Sequence, residues 1–343
     1  MALSVSVIVP TYRPGTQWRQ WLDAFARQTV RPNKALIIDS SSGDDTLELA
    51  AEYGFDSYVI PTHEFGHGRT RMLGVALTGN SDIVLLLTQD AELAAPDSIE
   101  NLTALFDDPQ IGAAYGRQLS RPKADPISAH ARIFHYPATS CVRSIADIPT
   151  LGVKAARFSN SFGAYRRSAL MQAGGFPLDA IFGEDQAVAA QMLLKGWKIG
   201  YAANAQVFHS HDYTFLQEFR RYFTIGVAHQ TMPWMVEKFG SVGGEGLHFV
   251  RSELSHLWNC SPGHIPSALV RTALKLLAYR LGNTTMPLPT RMKRTLSMNP
   301  QYWDSVKPSH ASVRFTLPPH THVHSKPNSQ IPTLSTPHNT RIS

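Results

Sequence analysis

A polar segment that directly follows a run of aliphatic residues is the first candidate for chemistry. Ile83 to Leu87 are five consecutive aliphatic residues, and Thr88, Gln89 and Asp90 follow them at once. Such a short run is typical of a strand buried on both faces of a parallel sheet. Because ligands bind beyond the carboxyl ends of such strands, Asp90 suits either a divalent cation or acid–base chemistry. The alternative is an aspartate that caps a turn.

Two further groups of residues suit work on a phosphate or a proton. The segment His67-Gly68-Arg69-Thr70-Arg71 places a flexible glycine beside two guanidinium groups, which match phosphate oxygens; the alternative is a basic helix start on the surface. Glu184 and Asp185 precede a helical pattern over residues 187–195. Acids are favoured in the first turn of a helix, so capping competes there with a role as general base.

Two histidines follow a predicted strand over residues 205–208. His209 and His211 are two positions apart, so the alternation of an extended chain puts both imidazoles on one side. Imidazole is a common metal ligand, and a role as metal ligand or diphosphate contact is one interpretation. His209 is the first choice because it comes directly after the strand. The alternative is an ordinary structural histidine at either position.

The elements that must position these residues form an alternating pattern. Strands are predicted over 4–10, 35–39 and 58–60, with a helix that carries Trp18, Trp21, Leu22 and Phe25 and another over 47–53 between them. The β-α-β-α-β order before the aliphatic run is that of a doubly wound nucleotide-binding half. The second strand also ends in a carboxylate, Asp39, which either binds a ligand or caps the next helix.

The second half of the chain has a different pattern of predicted secondary structure. Residues 118–158 contain scattered prolines and give a poor pattern of regular structure, whereas helical spacing covers 215–235, 247–258 and 265–280. The helix over 265–280 has a wide apolar face with basic residues opposite, which favours a segment lying in a membrane interface; packing against the catalytic domain is the alternative. Residues 308–343 lack acids and an apolar period, which predicts a disordered tail, and the histidines spaced through it are best explained by composition.

Composition narrows the class of protein. With 343 residues and 43% hydrophobic residues, the chain has enough material for a sizeable core. Two cysteines give no disulfide framework, and no signal peptide or transmembrane segment is apparent, so we predict a soluble or peripheral cytoplasmic protein. The acid-free, basic stretch between Glu253 and Asp304 suits a membrane surface better than nucleic acid, because stacking aromatics and readout motifs are missing.

Several motifs in order resemble family 2 glycosyltransferases, which have the GT-A fold. The resemblance begins with the segments Val7–Tyr12 and Ile38–Ser42 and runs over about residues 4–305. Others resemble the bacterial rhamnosyltransferase subgroup more narrowly: Phe65–Arg71, Leu87–Ala91, Ser159–Phe162, Ala164–Arg167, Gly183–Gln186 and His209–Thr214. Two positions depart from the family. Met72 stands where the family usually has Asn, and Thr88 replaces the first Asp of the DxD motif.

The resemblance assigns roles by position. It implies Asp185 as the catalytic base. Donor-binding residues would be Thr11, Tyr12, Asp39, Ser40, His67, Gly68, Arg71, Gln89 and Asp90. Acceptor-binding residues would be Asn160, Tyr165, Arg166 and Glu184. Mg²⁺ or Mn²⁺ would be held by Asp90 and His209, with His211 as the second choice. With one carboxylate left in the motif, weak metal binding without nucleotide is expected.

The expectation is therefore an α/β protein of GT-A type with a mostly parallel, Rossmann-like sheet. A catalytic domain is expected over 1–214, with the donor half over about 1–117 and the acceptor half over about 118–214, then a helical region over 215–307. The expected activity is inverting transfer of a sugar, L-rhamnose from dTDP-L-rhamnose, to a lipid-linked bacterial polysaccharide or O-antigen intermediate at the inner face of the membrane. A UDP-hexose donor, a sugar nucleotidyltransferase and an inactive glycolipid-binding scaffold are the alternatives.

Overall fold

The protein is built on one nine-stranded sheet that helices cover on both faces. The structure, a computed structural model, describes residues 3–240 and 244–305. The strands are β1 (Val5–Thr11), β2 (Lys34–Asp39), β3 (Asp56–Val59), β4 (Ile83–Leu87), β5 (Glu92–Leu93), β6 (Ile111–Leu119), β7 (Cys141–Arg143), β8 (Phe162–Arg166) and β9 (Lys198–Phe208). The predicted tail over 308–343 lies outside the described residues.

The helices alternate with the strands in the first part of the chain and then follow one another. They are α1 (Trp18–Ala26), α2 (Thr46–Glu52), α3 (His67–Leu77), α4 (Ser98–Thr103), α5 (Pro126–His135), α6 (Ile148–Leu151), α7 (Arg167–Gln172), α8 (Glu184–Leu194), α9 (Phe215–Thr231), α10 (Pro233–Phe239), α11 (Glu245–Cys260), α12 (Ile265–Gly282), α13 (Thr290–Leu296) and α14 (Tyr302–Ser305). None of the described helices is long and apolar enough to cross a bilayer.

The sheet has a parallel half and a mixed half. Its strand order is β3-β2-β1-β4-β8-β6-β9-β5, with β7 also paired to β9. The strands β3, β2, β1 and β4 run parallel, whereas β8 is antiparallel to both β4 and β6. The β-α-β-α-β prediction and the mostly parallel GT-A sheet are therefore confirmed. The mixed half completes the sheet beyond β4.

The core lies on both faces of the parallel strands. Along β1, Val7 and Val9 join the core under α1, while Ile8 between them joins the core on the opposite face. All five residues of β4 are fully buried. The aliphatic run is thus a central strand, and the polar residues after it emerge at the sheet edge where the neighbouring parallel strands also end.

Several sequence predictions of secondary structure need correction. Residues 126–135 form a regular helix, α5, in the region judged irregular: Pro126 stands at its first position, where a missing N–H costs nothing, and the Asp125 side chain accepts from the N–H of Ile127. Helix α8 begins at Glu184, three residues before the predicted start. The helix predicted over 215–235 is two helices, because Pro233 starts α10.

The orientation of α12 also differs from the prediction. Arg271 and Lys275 do not lie on a solvent face; each has a nitrogen 2.8 Å from a carboxylate oxygen of Glu218 on α9. The outward side of α12 is instead apolar, with Leu276 and Leu277 at least half exposed. The helical period of a sequence does not show which side of the helix packs inward. In α12 the side that carries Arg271 and Lys275 packs inward because both residues pair with the Glu218 carboxylate.

Candidate active site

The carboxyl ends of β1 and β2 form the first wall of the site. Thr11 and Asp39 are paired in the β1–β2 register, and the Thr11 hydroxyl donates to Asp39 over 2.9 Å. The backbone N–H and the hydroxyl of Ser42 also donate to the Asp39 carboxylate. Ser40 follows, with its hydroxyl buried and without a partner in the described part of the chain. These bonds hold the Asp39 carboxylate rigidly at the strand end.

The β1 and β4 ends are joined through Tyr12 and Gln89. The Gln89 amide accepts from the Tyr12 N–H over 2.7 Å and donates to the Tyr12 carbonyl over 3.0 Å. Gln89 therefore joins the loops that follow β1 and β4. Tyr12 itself is 44% exposed. Tyr12 directly follows Thr11, the partner of Asp39, and an exposed aromatic ring at this strand end suits stacking on a flat heterocycle.

Asp90, His209 and His211 form a compact cluster. One potential ligand atom from each lies within 4.8 Å of the others, in the only such three-residue group found among the described residues. Nε2 of His209 is 3.5 Å from Asp90 Oδ1, Nε2 of His211 is 3.4 Å from Asp90 Oδ2, and the two Nε2 atoms are 3.1 Å apart. The structure thus brings both candidate histidines to Asp90, from strands far apart in sequence.

The electrostatics of the cluster favour an ionised carboxylate. Burial alone would raise the pKa of Asp90, but its interactions with the neighbouring His209 and His211 outweigh burial and hold that pKa well below its usual range. Burial and the neighbouring His209 lower the pKa of His211 to about 4. A carboxylate with two imidazole groups beside it is a donor set that Mg²⁺ accepts and Mn²⁺ suits well.

Asp185 stands in the first turn of α8, whose preceding residue Gly183 has a φ of 77°. The Asn160 N–H donates to Asp185 Oδ2 over 3.1 Å, and the Gln186 N–H donates to Oδ1 over 2.8 Å. Burial, followed by the charge of Glu184, nevertheless raises the pKa of Asp185 to about 7. That value is close to the optimum for a general base near neutral pH.

Asp185 and Asp90 lie beside the same end of β4. The carbonyl of Ser161 accepts from the N–H of Thr88, and Ser161 directly follows Asn160, whose N–H holds Asp185. A cleft of about 440 Å³ opens here, lined by Ser161, Gln186, His209 and His211 at this end. Gln186, the neighbour of Asp185, and the two histidines of the Asp90 cluster therefore line one cleft.

A buried ion pair supports the start of α8. Glu184 accepts from Arg71 over 3.0 Å and from the Asn160 side-chain amide over 3.1 Å. Although burial opposes it, the Arg71 charge lowers the pKa of Glu184. Tyr165 donates to Asn160 over 2.7 Å and is itself fully buried. Four predicted site residues, Arg71, Asn160, Tyr165 and Glu184, thus form one network behind Asp185.

The helix start at His67 serves the same network. The Arg71 guanidinium donates to Nδ1 of His67, and Nε2 of His67 lies beside the side-chain amide of Asn299, each over 3.3 Å. A Cβ on Gly68 would overlap the carbonyl of Pro177, so this glycine allows α3 to approach that loop closely. The proposed donor contacts of His67, Gly68 and Arg71 remain predictions, but their packing roles are defined.

Arg166 is not brought to the cleft. It is paired with Ile83 at the opposite end of β4, and its guanidinium donates to the carbonyls of Phe106, Asp108 and Ile111. It is four residue steps of extended chain from Phe162, so it lies roughly 13 Å along the strand from the site edge. The predicted acceptor contact of Arg166 does not fit this placement, because side chains of a strand end reach only their own edge of the sheet.

Sequence reasoning overlooked functional candidates on the other side of the cleft. Gln118 at the end of β6 accepts from His209 Nδ1 over 2.9 Å, and Arg132 and Arg221 line the same cleft. Arg132 lies on α5, in the region predicted to be irregular, and Arg221 lies in the first half of α9. Recognition of the helix at 126–135 would have pointed to Arg132, because this helix carries that basic residue toward the strand ends.

A metal-compatible cluster, a buried carboxyl group with a raised pKa and a GT-A-type sheet suit a nucleotide-sugar transferase, and comparison with known proteins agrees. The family model for glycosyl transferase family 2 matches residues 6–174. The chain is 44% identical over 306 residues to the O-antigen chain rhamnosyltransferase RfbN of Salmonella typhimurium, covering 89% of this chain and 98% of that one. It is 45% identical over 305 residues to the O-antigen chain rhamnosyltransferase WbaN of Salmonella anatum, covering 89% and 97%.

A solved structure supports the fold. The mannosyltransferase PcManGT from Pyrobaculum calidifontis, in complex with GDP-Man and Mn²⁺, superposes with a TM-score of 0.50 at 19% identity, over 89% of this chain and 86% of that one. The chain is a glycosyltransferase. It belongs to glycosyl transferase family 2, together with these O-antigen chain rhamnosyltransferases.

Proposed function

We propose that this enzyme transfers L-rhamnose from dTDP-L-rhamnose, with inversion, to a lipid-linked O-antigen intermediate. The observation that carries the proposal is the identity of 44–45% to two O-antigen chain rhamnosyltransferases over nearly their whole length. A shared reaction site is supported because Gln186, the neighbour of the candidate base Asp185, lines the same cleft as His209 and His211 of the Asp90 cluster.

The nucleoside end of the donor is assigned to the β1–β2 edge. Asp39 accepts a hydrogen bond from the N3–H that thymine shares with uracil, and the exposed Tyr12 ring stacks on the base. Gln89 and Thr11 hold these two residues in position. Since N3–H does not distinguish the two pyrimidines, a UDP-sugar is the competing donor.

The diphosphate is assigned to the Asp90 cluster. The two imidazoles and the carboxylate fit a divalent ion in number and chemistry, because each can offer one ligand atom and these atoms lie within 4.8 Å of one another. Asp90 and His209 would hold Mg²⁺ or Mn²⁺, with His211 as a further ligand, and the ion would act as a Lewis acid on the departing diphosphate. Arg132 and Arg221 add positive charge to the same cleft.

Asp185 is assigned the role of base. Its carboxylate takes the proton of the acceptor hydroxyl as that oxygen attacks the anomeric carbon, and the bond to the diphosphate breaks on the opposite face. One displacement of this kind inverts the anomeric centre. Asn160 and Gln186 fix the carboxylate through backbone N–H groups, and Glu184 keeps it basic by its charge.

Contact with the inner face of the membrane is proposed through the outward side of α12. The exposed residues of this side recur at helical spacing and are apolar up to Arg280: Leu269, Val270, Ala273, Leu276 and Leu277. Basic residues continue beyond the helix, at Arg291 and Arg294. An apolar stripe with basic neighbours is the pattern of a helix that lies in the interface of an anionic membrane.

A donor panel with purified protein tests the function. dTDP-L-rhamnose, UDP-glucose, UDP-GlcNAc and GDP-mannose are each supplied with a lipid-linked saccharide, with Mn²⁺ or with EDTA, and the released nucleoside diphosphate is measured. Release of dTDP alone, with rhamnose in the lipid product, is expected. Release of UDP from a UDP-hexose would contradict the donor assignment while leaving the family unchanged. Pyrophosphate from dTTP and a sugar phosphate would instead indicate a nucleotidyltransferase.

A further inference from the structure

A row of three side chains leads from α5 to the metal cluster. The Arg132 guanidinium donates a short hydrogen bond to Oε1 of Gln118, and the same oxygen lies 2.9 Å from Nδ1 of His209. Gln118 is 2% and His209 9% exposed, so water does not compete for these contacts. Within the described part of the chain, Arg132 itself forms no hydrogen bond or ion pair with Asp90, His209 or His211.

The donors and acceptors in this row fix which nitrogen of a neutral His209 carries the proton. A guanidinium has only donors, so the Gln118 atom that faces Arg132 is its carbonyl oxygen. A carbonyl oxygen only accepts, so the hydrogen bond to His209 requires a proton on Nδ1. A neutral imidazole then has its lone pair on Nε2. That nitrogen is the one that faces Asp90 at 3.5 Å.

Arg132 is the member that fixes the direction of the Gln118 amide. The amide nitrogen of Gln118 donates to the Ser159 hydroxyl over 2.8 Å, but a hydroxyl can equally donate to an oxygen in that place. Ser159 therefore tolerates a rotated amide, whereas Arg132 does not. With the amide rotated, its NH₂ group would face Nδ1 of His209 and move the imidazole proton to Nε2.

We propose that Arg132 is a positioning residue that acts through Gln118 to keep His209 in the Nδ1–H tautomer, with Nε2 ready as a ligand for a divalent cation. The inference rests on the metal role proposed above for His209. Partners behind a ligating histidine commonly fix its tautomer in this way, and their loss weakens metal binding by about 10–100-fold. The row also explains why His209, rather than His211, is preset as a ligand.

The first test reads the tautomer in the metal-free protein. Long-range ¹H–¹⁵N correlation spectra of ¹⁵N-histidine-labelled protein separate the two tautomers, and a His209→Gln spectrum identifies the signals of His209 among the 15 histidines. A proton on Nδ1 is expected in the wild type and a proton on Nε2 in Arg132→Met. Arg117→Met is the matched control, because Arg117 precedes Gln118 on β6 but donates to the Tyr136 carbonyl instead.

The second test measures binding of Mn²⁺ alone by electron paramagnetic resonance. Arg132→Met and Gln118→Met are expected to weaken the affinity by about 10–100-fold. Gln118→Glu keeps an oxygen acceptor between Arg132 and His209, so it should retain wild-type affinity, as should Arg117→Met. A role in packing alone would lower thermal stability without changing the tautomer.

Two results would overturn the proposal. A wild-type spectrum with the His209 proton on Nε2 does so without any variant, whether or not the variants fold. Retention of both the Nδ1–H tautomer and the Mn²⁺ affinity in Arg132→Met does so as well. Neither measurement involves a sugar donor, so a wrong donor assignment would leave the outcome unchanged.

Discussion

The surroundings of the Asp185 carboxyl group shift its pKa in opposite directions. Two backbone N–H groups favour its charged form, yet burial and the adjacent Glu184 carboxylate raise its pKa to about 7. A group with such a pKa exists in both protonation states near neutral pH, which is what transfer of a proton from an acceptor hydroxyl requires.

Replacement of Asp185 by Asn should therefore remove catalysis and leave donor binding in place. Loss of a general base costs about 10²–10⁴-fold in rate. The measurements are kcat for rhamnosyl transfer and the dissociation constant of the nucleotide sugar. Glu237→Gln, on an exposed part of α10, serves as the control for loss of a carboxylate. An Asp185→Asn enzyme with more than about a tenth of the wild-type kcat would rule out this residue as the base.

The pH profile follows from the same pKa. Since the base acts when ionised, kcat/KM should rise with pH and level off above about 7. In Glu184→Gln the neighbouring negative charge is lost, so the pKa of Asp185 falls and the rising limb moves to lower pH. Thermal unfolding of the variant shows whether loss of the Arg71 ion pair has disturbed the fold. An unmoved limb in a folded Glu184→Gln protein would contradict the assigned cause of the shift.

The metal cluster predicts unequal roles for its two histidines. EDTA should abolish transfer, and Mn²⁺ or Mg²⁺ should restore it. His209→Ala should weaken Mn²⁺ binding more than His211→Ala, because the Nε2 lone pair of His209 is preset toward Asp90. Titration of Mn²⁺ followed by electron paramagnetic resonance measures this, with the exposed His63→Ala as the control. A larger loss in His211→Ala would reverse the order of the two ligands.

At the scale of elements, the parallel half of the sheet could be predicted because its strands carry continuous aliphatic runs that stop at polar residues. β1, β2 and β4 follow this pattern, and the positions of Asp39 and Asp90 follow from it. The convergence of His209 on Asp90 depended on family resemblance, since β4 and β9 do not pair and spacing alone does not bring their ends together.

The elements that sequence reasoning missed owe their form to distant partners. Helix α5 packs on α11, where Nε2 of His130 lies 2.9 Å from the Ser252 hydroxyl. The basic residues of α12 turn inward because Glu218 of α9 lies there. Neither contact leaves a local signal, because a helical period gives the presence of a face and not the neighbour that the face meets.

Contact between α9 and α12 requires two glycines. A Cβ on Gly282 would overlap the carbonyl of Phe223, and a Cβ on Gly226 would overlap the carbonyl of Tyr279. Gly282→Ala should therefore lower the free energy of unfolding by about 1–3 kcal/mol, the range for overpacking. Chemical denaturation measures it. Gly246→Ala on α11, where a Cβ meets open space, should be neutral or stabilising by up to about 1 kcal/mol. Equal stability of the two variants would mean that the helices separate at little cost.

At the scale of the whole molecule, the cleft is lined by four charged residues of the helical region, Glu218, Arg221, Arg271 and Lys275, whereas an apolar stripe on α12 is exposed. Glu218 and Glu253 are both buried near the positively charged Lys275. The apolar stripe on α12 takes no part in these charge contacts. In an enzyme whose proposed acceptor is a lipid, a membrane-facing surface places the cleft where the acceptor is.

Membrane binding should therefore depend on Leu276 and Leu277, which are 50% and 59% exposed. Each leucine contributes roughly 1.5–3 kcal/mol when fully buried in an apolar phase. We expect Leu276→Asp with Leu277→Asp to reduce binding to vesicles rich in phosphatidylglycerol by about 100-fold, as measured by flotation. Met171→Asp with Ile145→Asp changes two comparably exposed apolar residues elsewhere and should bind as the wild type does. If the α12 variant floats with the vesicles as well as this control, the stripe is not the surface that meets the bilayer.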